Sequence, residues 1–194
     1  MGPKKMQSIG VFCGSSVGAR PEYRDAAHQF ARLLAERSIT LVYGGGRVGL
    51  MGVIADAALE MGGEVIGVIP KVLYRKEIAH EGLTDLRVCD TMSERKAIIG
   101  ELSDAFVALP GGIGTLDELF EVWTWTQLGL QDKPSALLNV DRYFDGLIQF
   151  IDHSVAEGFL RPTVRQALLV DTDAQRLLDR LEGSTPEAWA PGGD

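Results

Sequence analysis

Residues 110–118 read PGGIGTLDE, and this stretch decides how the rest of the chain is interpreted. The apolar run 105–109 before it predicts a buried strand, because it is too short for a helix. After it, apolar residues recur at helical spacing, so a helix is predicted from about Thr115. The stretch is therefore a glycine-rich turn between a strand and a helix, with Thr115 as the expected N-cap and Glu118 in the first turn.

Such a turn can hold an anion. Without Cβ atoms at Gly111, Gly112 and Gly114, backbone N–H groups can come close to a ligand. The free N–H groups and the dipole of the first helical turn favour a phosphate there, and the Thr115 hydroxyl can donate to it. Glu118 would lie beside that phosphate, which suggests chemistry on a phosphorylated small molecule. The alternative is a simple turn with a Thr115–Glu118 capping box, and a glycine pattern alone does not separate the two.

The composition is that of one soluble globular domain. Of the 194 residues, 45% are hydrophobic and 24% charged, and the net charge of −8 argues against nucleic acid or an anionic membrane as the main partner. The two cysteines form no CxxC pair and the histidines lack metal spacing, so we expect reduced thiols, a cytoplasmic location and no metal site. No apolar run reaches membrane-spanning length, and no signal peptide is recognisable.

Strand and helix patterns alternate along the chain. Strands are predicted at 8–13, 39–43, 65–69, 86–89, 105–109, 135–140 and 168–170, with helices between most of them. This alternation predicts an α/β fold, a Rossmann-like doubly wound parallel sheet with helices on both faces. We expect one nucleotide-binding catalytic domain over 8–182, a flexible N-terminus at 1–7 and a disordered tail at 183–194. Segment 71–84 is predicted to be a loop or short helix over the active edge.

Two further turns follow predicted strands, Gly14-Ser15-Ser16 and the stretch GGGRVG at 44–49. Both would lie at the carboxyl edge of the sheet, where open α/β sheets bind ligands. The second turn matches GxGxxG, so an NAD or FAD enzyme is an alternative. Two features oppose it: the motif follows the second strand, and the third strand ends in VIPK at 68–71, without an acid for the ribose hydroxyls. No P-loop pattern supports an ATPase or kinase.

Three charged residues could reach the same edge. Arg95 and Lys96 lie on a predicted helix just before the glycine-loop strand, and an arginine can make planar, bidentate contacts with a phosphate or a base. Glu77 lies in the segment after the third strand. Taken singly, each is also compatible with an exposed surface side chain.

The combination of Met92-x-x-Arg95-Lys96 with the later PGGxGTxxE resembles the signature of the Lonely Guy family. The likeness runs from about Ser8 to Leu181, and it includes CGSS at 13–16, YGGG at 43–46, GLMG at 49–52 and DKP at 132–134. Members of this family are cytokinin riboside 5′-monophosphate phosphoribohydrolases, often mislabelled lysine decarboxylases. They release the base from an N6-modified adenosine monophosphate and leave ribose 5-phosphate.

The resemblance implies roles for particular residues. Arg95 and Glu118 would form the catalytic pair. The phosphate and the rest of the nucleotide would be held by Gly111, Gly112, Gly114, Thr115, Lys96, Glu77, Met92, Thr124, Ser15 and Gly45. The resemblance also implies an enzyme without metal or cofactor that forms a homodimer or a larger homo-oligomer. Ser93 stands where members often have histidine, a departure that bears on substrate preference and rate.

Other functions remain as alternatives. A pyridoxal-dependent decarboxylase is disfavoured, because it needs a Schiff-base lysine and a partner for the ring nitrogen, whereas Lys71, Lys76 and Lys133 lie in predicted loops. A general AMP nucleosidase would use the same residues. A non-catalytic nucleotide carrier or sensor would share the glycine loops without needing Arg95 and Glu118 together.

Overall fold

The computed structural model describes residues 6–74 and 79–184, in which seven parallel strands form one sheet of order β4-β3-β2-β1-β5-β6-β7. The strands are β1 (Ser8–Phe12), β2 (Thr40–Tyr43), β3 (Val65–Pro70), β4 (Asp85–Cys89), β5 (Ala105–Ala108), β6 (Ser135–Leu138) and β7 (Leu168–Asp171). The predicted doubly wound α/β fold is confirmed. The expected terminal segments lie largely outside the described residues.

Helices cover both faces of this sheet. They are α1 (Pro21–Glu36), α2 (Gly49–Glu60), α3 (Lys71–Tyr74), α4 (Met92–Leu102), α5 (Ile113–Gln127), α6 (Asp145–Ala156), α7 (Pro162–Ala167) and α8 (Ala174–Glu182), with a 3₁₀ turn at Val140–Arg142. One core contains side chains of α1, α2 and α8, and the other contains side chains of α4 to α7. Alternate residues of β1 contribute to each: Ile9 and Val11 to the first core and Phe12 to the second.

Two differences from the sequence prediction concern local elements. Strand β6 stops at Leu138, because the chain turns into the 3₁₀ segment with positive φ at Asp141 and Arg142. Helix α7 was not predicted; it has six residues, starts at Pro162 and buries only Val164, so its apolar pattern is too short to recognise. Among the described residues, no helix is long and apolar enough to cross a membrane.

The strand order reverses at β1. The chain builds β2, β3 and β4 on one side of β1, and then α4 carries it back to β5 on the other side. The turns after β1 and β5 therefore meet, and the Gly14 N–H donates to the Pro110 carbonyl at 3.0 Å. This crossover point is where open α/β sheets bind ligands.

Candidate active site

Helix α5 begins earlier than the sequence predicted. Gly112 is its N-cap, with an extended backbone, and Ile113 is the first helical residue. The expectations that Thr115 is the N-cap and that Glu118 lies in the first turn are wrong, and the alternative of a Thr115–Glu118 capping box is excluded with them. Ile113 is 88% exposed, so it does not take part in the apolar pattern from which the helix start was predicted.

The glycines of this loop are required for different reasons. A Cβ at Gly111 would lie 2.1 Å from the Thr115 Oγ1 and 2.8 Å from the Gly14 nitrogen, so packing alone demands glycine there. A Cβ at Gly112 or Gly114 would meet no atom within 4 Å, and neither residue has a positive φ. The fold does not require glycine at these two positions. Because Gly112 and Gly114 carry no side chain, a ligand can come close to the N–H groups at the start of α5.

Arg95 is buried at the carboxyl edge of the sheet, with 7% of its surface exposed. Its Nε donates to the Val68 carbonyl at 3.0 Å, and its Nη2 donates to the Gly44 carbonyl at 3.3 Å. Its Nη1 lies 3.2 Å from Oε1 of Glu118. The first turn of α4 thus places a cation against β2 and β3, where it pairs with the acid of α5.

Packing explains two glycines of the GxGxxG pattern. A Cβ at Gly44 would lie only 1.8 Å from the Arg95 Nη2, so this glycine makes room for the guanidinium group. Gly49 has a φ of 60°, and its Cβ would lie 2.2 Å from the Ser15 backbone. Neither position needs a dinucleotide to account for it.

Glu118 is buried, and its side chain is 11% exposed. Burial raises the pKa of this carboxyl group, while the Arg95 charge lowers it; the net direction is upward from the ordinary value. A carboxyl group with a raised pKa keeps its proton to a higher pH than an ordinary glutamate, a property common among groups that exchange protons in active sites.

Lys96 lies on the outer side of this pair, with 16% of its side chain exposed. Its Nζ is 3.1 Å from Oδ2 of Asp117, and it also pairs with the Glu121 carboxylate. The hydrogen bond to Glu121 raises the pKa of Lys96. Helices α4 and α5 are thus joined by one buried and two partly exposed ion pairs, and Lys96 is engaged within the protein.

The remaining predicted contacts lie on different elements. Met92 and Thr124 are exposed on α4 and α5, and Ser15 is exposed in the turn after β1. Gly45 is buried with a φ of 71°, and its Cβ would lie 3.1 Å from the Ile69 Cβ, so local packing explains this glycine. Glu77 lies outside the described residues, and its predicted role stays a prediction.

A cleft of about 240 Å³ opens between the turn after β1 and the loop after β5. It is lined by Gly14, Ser15, Ser16, Val17, Gly18, Tyr23, Leu50, Pro110, Gly111, Gly112 and Tyr143. The two tyrosines belong to no motif that the sequence analysis used. Tyr143 was missed because its contact with Gly111 joins residues 32 positions apart, and local sequence carries no signal for such a contact.

Neither cysteine is placed for nucleophilic chemistry. Cys13 and Cys89 are both buried and unpaired, and burial raises the pKa of each thiol. Within residues 6–74 and 79–184, no group of three histidine, cysteine or acidic side chains could hold a metal ion.

A doubly wound parallel sheet with a glycine-rich loop at its crossover point defines a Rossmann-like α/β protein, and this one carries a buried arginine–glutamate pair beside the loop. A family model described as "Possible lysine decarboxylase" matches residues 51–181. The chain is 51% identical over 176 residues to a "Probable cytokinin riboside 5'-monophosphate phosphoribohydrolase" of Oryza sativa subsp. japonica, covering 91% of this chain and 83% of the relative. It is 48% identical over 186 residues to a cytokinin riboside 5′-monophosphate phosphoribohydrolase of Arabidopsis thaliana, covering 96% and 86%.

The chain belongs to the cytokinin riboside 5′-monophosphate phosphoribohydrolase family, the Lonely Guy family that its motifs resemble.

Solved structures show the same fold at lower sequence identity. The molybdenum cofactor binding protein of the phototrophic bacterium Rippkaea orientalis matches with a TM-score of 0.70 and 22% identity, covering 93% of this chain and 97% of that one. The molybdenum cofactor carrier protein of Chlamydomonas reinhardtii matches with a TM-score of 0.68 and 23% identity, covering 93% and 100%. These likenesses concern the fold alone.

Proposed function

We propose that this chain hydrolyses the N-glycosidic bond of N6-modified adenosine 5′-monophosphates, giving the free base and ribose 5-phosphate, within a catalytic domain over 8–182. The observation that carries the proposal is the buried Arg95–Glu118 pair, 3.2 Å apart, beside the open N-terminus of α5. Burying two charges costs several kcal/mol per ion before their attraction is counted. An enzyme can use such a pair to set the pKa of an acid, a use that a carrier or sensor does not require. Relatives about half identical over most of the chain are named for this reaction.

The 5′-phosphate binds at the start of α5. The N–H groups there have no carbonyl acceptors within the helix, and Gly112 and Gly114 present no side chain that would keep a phosphate away. Glu118 lies six residues beyond Gly112, about 9 Å along the helix axis. A phosphate held at one end of the ribose therefore directs the other end toward the carboxylate. The binding energy of the phosphate is used in this way to orient the sugar carbon that reacts.

The reaction passes through an oxocarbenium-like transition state, as in glycoside cleavage. Glu118 orients a water molecule, stabilises the positive charge that develops on the ribose and accepts the proton of the water as its oxygen bonds to the sugar carbon. The bond from that carbon to the base nitrogen breaks, and its electron pair stays on the base, which takes up a proton from solvent. Glu118 then releases the proton of the water to solvent. Arg95 stays protonated, so it acts as a fixed charge and not as a proton donor.

The other nucleotide contacts come from residues on α4, on α5 and in the turn after β1. Met92 and Thr124 are exposed on α4 and α5, and Ser15 is exposed in the turn after β1. Lys96 is paired with Asp117 and Glu121, so it would affect the nucleotide through the electrostatic potential of this ion-pair group. Glu77 and Gly45 complete the set expected from the resemblance.

The same chain assembles as a homodimer or a larger homo-oligomer in the cytoplasm. Three large apolar side chains at the two ends of α5 support assembly: Ile113, Leu128 and Leu130 are 88%, 63% and 71% exposed. The two unpaired thiols support a reducing compartment. Light scattering coupled to gel filtration measures the assembly directly, and a monomer at micromolar concentration would contradict it.

The test is product analysis after incubation with AMP and with N6-isopentenyladenosine monophosphate, without added metal. Faster release of ribose 5-phosphate from the isopentenyl compound supports the proposal. Equal or faster release from AMP indicates a general nucleosidase. Binding of both nucleotides without release indicates a carrier or sensor.

A Gly114→Ala variant tests the phosphate site. Alanine fits its position in the first turn of α5 without a clash, so the stability should be unchanged or slightly higher. If the phosphate approaches this backbone, KM should rise while the unfolding temperature does not fall. An unchanged KM would place the phosphate elsewhere.

A further inference from the structure

The turn after β6 is held in an unusual conformation. Asp141 and Arg142 have φ values of 45° and 62°, a strained region that residues other than glycine seldom adopt. Such a conformation persists only when the surroundings fix it. Here it delivers the next residue, Tyr143, to the rim of the cleft.

Several contacts fix this turn. The Asn139 side chain accepts a hydrogen bond from the Phe144 N–H at 2.7 Å and donates one to Asp145 at 2.8 Å. Arg142 donates to the same Asp145 at 2.6 Å. Asp141 pairs with Arg20, which precedes α1. The strained backbone is therefore tied at both ends and to a second element.

Tyr143 makes one hydrogen bond through its side chain, to the glycine loop. Its hydroxyl donates to the Gly111 carbonyl at 2.6 Å. Its ring lies edge-on to Phe144 and to Tyr23, with centroid distances of 4.9 and 5.5 Å. The aromatic contacts hold the ring, and the hydroxyl holds the glycine loop.

The bond to Gly111 also fixes its neighbour. In a planar trans peptide the N–H points opposite to the C=O, so holding the Gly111 carbonyl sets the direction of the Gly112 N–H. Both residues lack a Cβ, so the chain alone restricts this peptide little. The preceding carbonyl, of Pro110, is fixed by the Gly14 N–H at 3.0 Å. Two successive carbonyls of the loop are thus held from outside it.

We infer that Tyr143 is a positioning residue for nucleotide binding: its hydroxyl sets the Gly111–Gly112 peptide so that the Gly112 N–H is ready for the 5′-phosphate. This inference rests on the proposed function and assigns a residue outside the family motifs described above. A donor that is oriented before binding avoids the entropy cost of ordering it during binding.

The Tyr143→Phe variant removes the hydroxyl and keeps the ring contacts. We expect the Kd for ribose 5-phosphate, measured by calorimetry, and the KM for N6-isopentenyladenosine monophosphate to rise about three- to tenfold, the effect of one hydrogen bond. The kcat should change less than KM. Tyr23→Phe is the comparison, because it removes a hydroxyl from the same cleft that makes no hydrogen bond to the described residues.

A second measurement starts from the wild-type protein. In ¹⁵N-labelled wild-type protein, the Gly112 amide resonance should shift when ribose 5-phosphate is added, and in Tyr143→Phe it should shift less at equal saturation. An amide that does not respond in the wild type overturns the inference even if the variant fails to fold.

The outcomes separate this inference from the proposed function. If the wild type neither cleaves the nucleotide nor binds ribose 5-phosphate, the proposed function fails and the role of Tyr143 fails with it. If the wild type does both and Tyr143→Phe binds ribose 5-phosphate equally well, only the role of Tyr143 is overturned. Equal losses in the Tyr143 and Tyr23 variants would show that cleft polarity, and not the bond to Gly111, produces the effect.

Discussion

The Gly44→Ala substitution tests whether the position of Arg95 determines activity. The new methyl group would lie 1.8 Å from the Arg95 Nη2 and 2.9 Å from its Cζ. To reach ordinary contact, the guanidinium group must withdraw by about 1.5–2 Å. It can do so because it is the end of a flexible side chain, but it then leaves the Gly44 carbonyl and moves relative to Glu118.

The expected loss of activity follows from the displacement of the guanidinium group. A misplacement of about 1 Å can reduce a rate by about 10²-fold, which corresponds to about 2.7 kcal/mol of transition-state stabilisation. A hydrogen bond involving a charged group contributes about 1.5–3 kcal/mol, so the two approaches agree. We therefore expect kcat/KM for N6-isopentenyladenosine monophosphate to fall about 100-fold. The free energy of unfolding should fall by no more than about 3 kcal/mol, which leaves an ordinary domain folded.

The assay is release of ribose 5-phosphate, with thermal unfolding measured on the same samples. Gly146→Ala is the matched control, because a Cβ at this exposed position of α6 meets nothing within 4 Å. It should retain activity and be slightly more stable, since alanine favours a helix over glycine by up to about 1 kcal/mol. A Gly44→Ala protein with normal kcat/KM would refute the reasoning, because activity would then tolerate a displaced Arg95.

Three further predictions concern single carboxyl groups. Glu118→Gln should retain ribose 5-phosphate binding and lose about 10²–10⁴ in kcat, the effect of losing an acid–base group; near-normal turnover would remove Glu118 from the mechanism. Because burial raises the pKa of Glu118, its ionised form is lost as the pH falls through that raised value. The acid limb of the wild-type pH profile of kcat/KM should therefore lie above the ordinary glutamate pKa of about 4.3, and a limb at or below it would contradict this assignment. The hydrogen bond from Arg176 lowers the pKa of Asp171, so its contribution to stability is present above the ordinary aspartate pKa and is lost as the pH falls toward the lowered value. Asp171→Asn should reduce the free energy of unfolding by about 1–2 kcal/mol at pH 7 and by less at pH 3, measured by urea titration; an equal loss at both pH values would exclude the charge as the cause.

The fold was predictable because the inner strands of its sheet are buried on both faces. The run AFVAL at 105–109 contains only apolar residues, which is the pattern of a strand covered on both faces. All five of its residues are fully buried in the structure. The start of α5 was not predictable to the residue, because Ile113 is apolar yet exposed. Helix boundaries depend on such residues, whose burial is decided by the tertiary structure.

The candidate site was only partly predictable for a related reason. The resemblance named Arg95 and Glu118 together, and they lie 3.2 Å apart. The residues that hold them are distant in sequence: Gly44 is 51 positions from Arg95. Lys133, part of the DKP motif, donates to the Gly100 carbonyl at 2.6 Å near the end of α4. The lysine of the DKP motif therefore joins the loop before β6 to the end of α4. Sequence spacing alone could not reveal this contact, because the two residues are 33 positions apart.

The crossover at β1 divides the sheet into two continuous stretches of chain. Residues 8–102 build β1 to β4 and carry Arg95, and residues 105–182 build β5 to β7 and carry Glu118. A cut at the Ser103–Asp104 link would separate the two catalytic candidates without breaking a helix or strand. Neither fragment could act alone, and turnover would return only when the two fragments reassembled. The chain therefore has the layout of a split reporter, in which catalysis would signal that two proteins fused to the fragments have met.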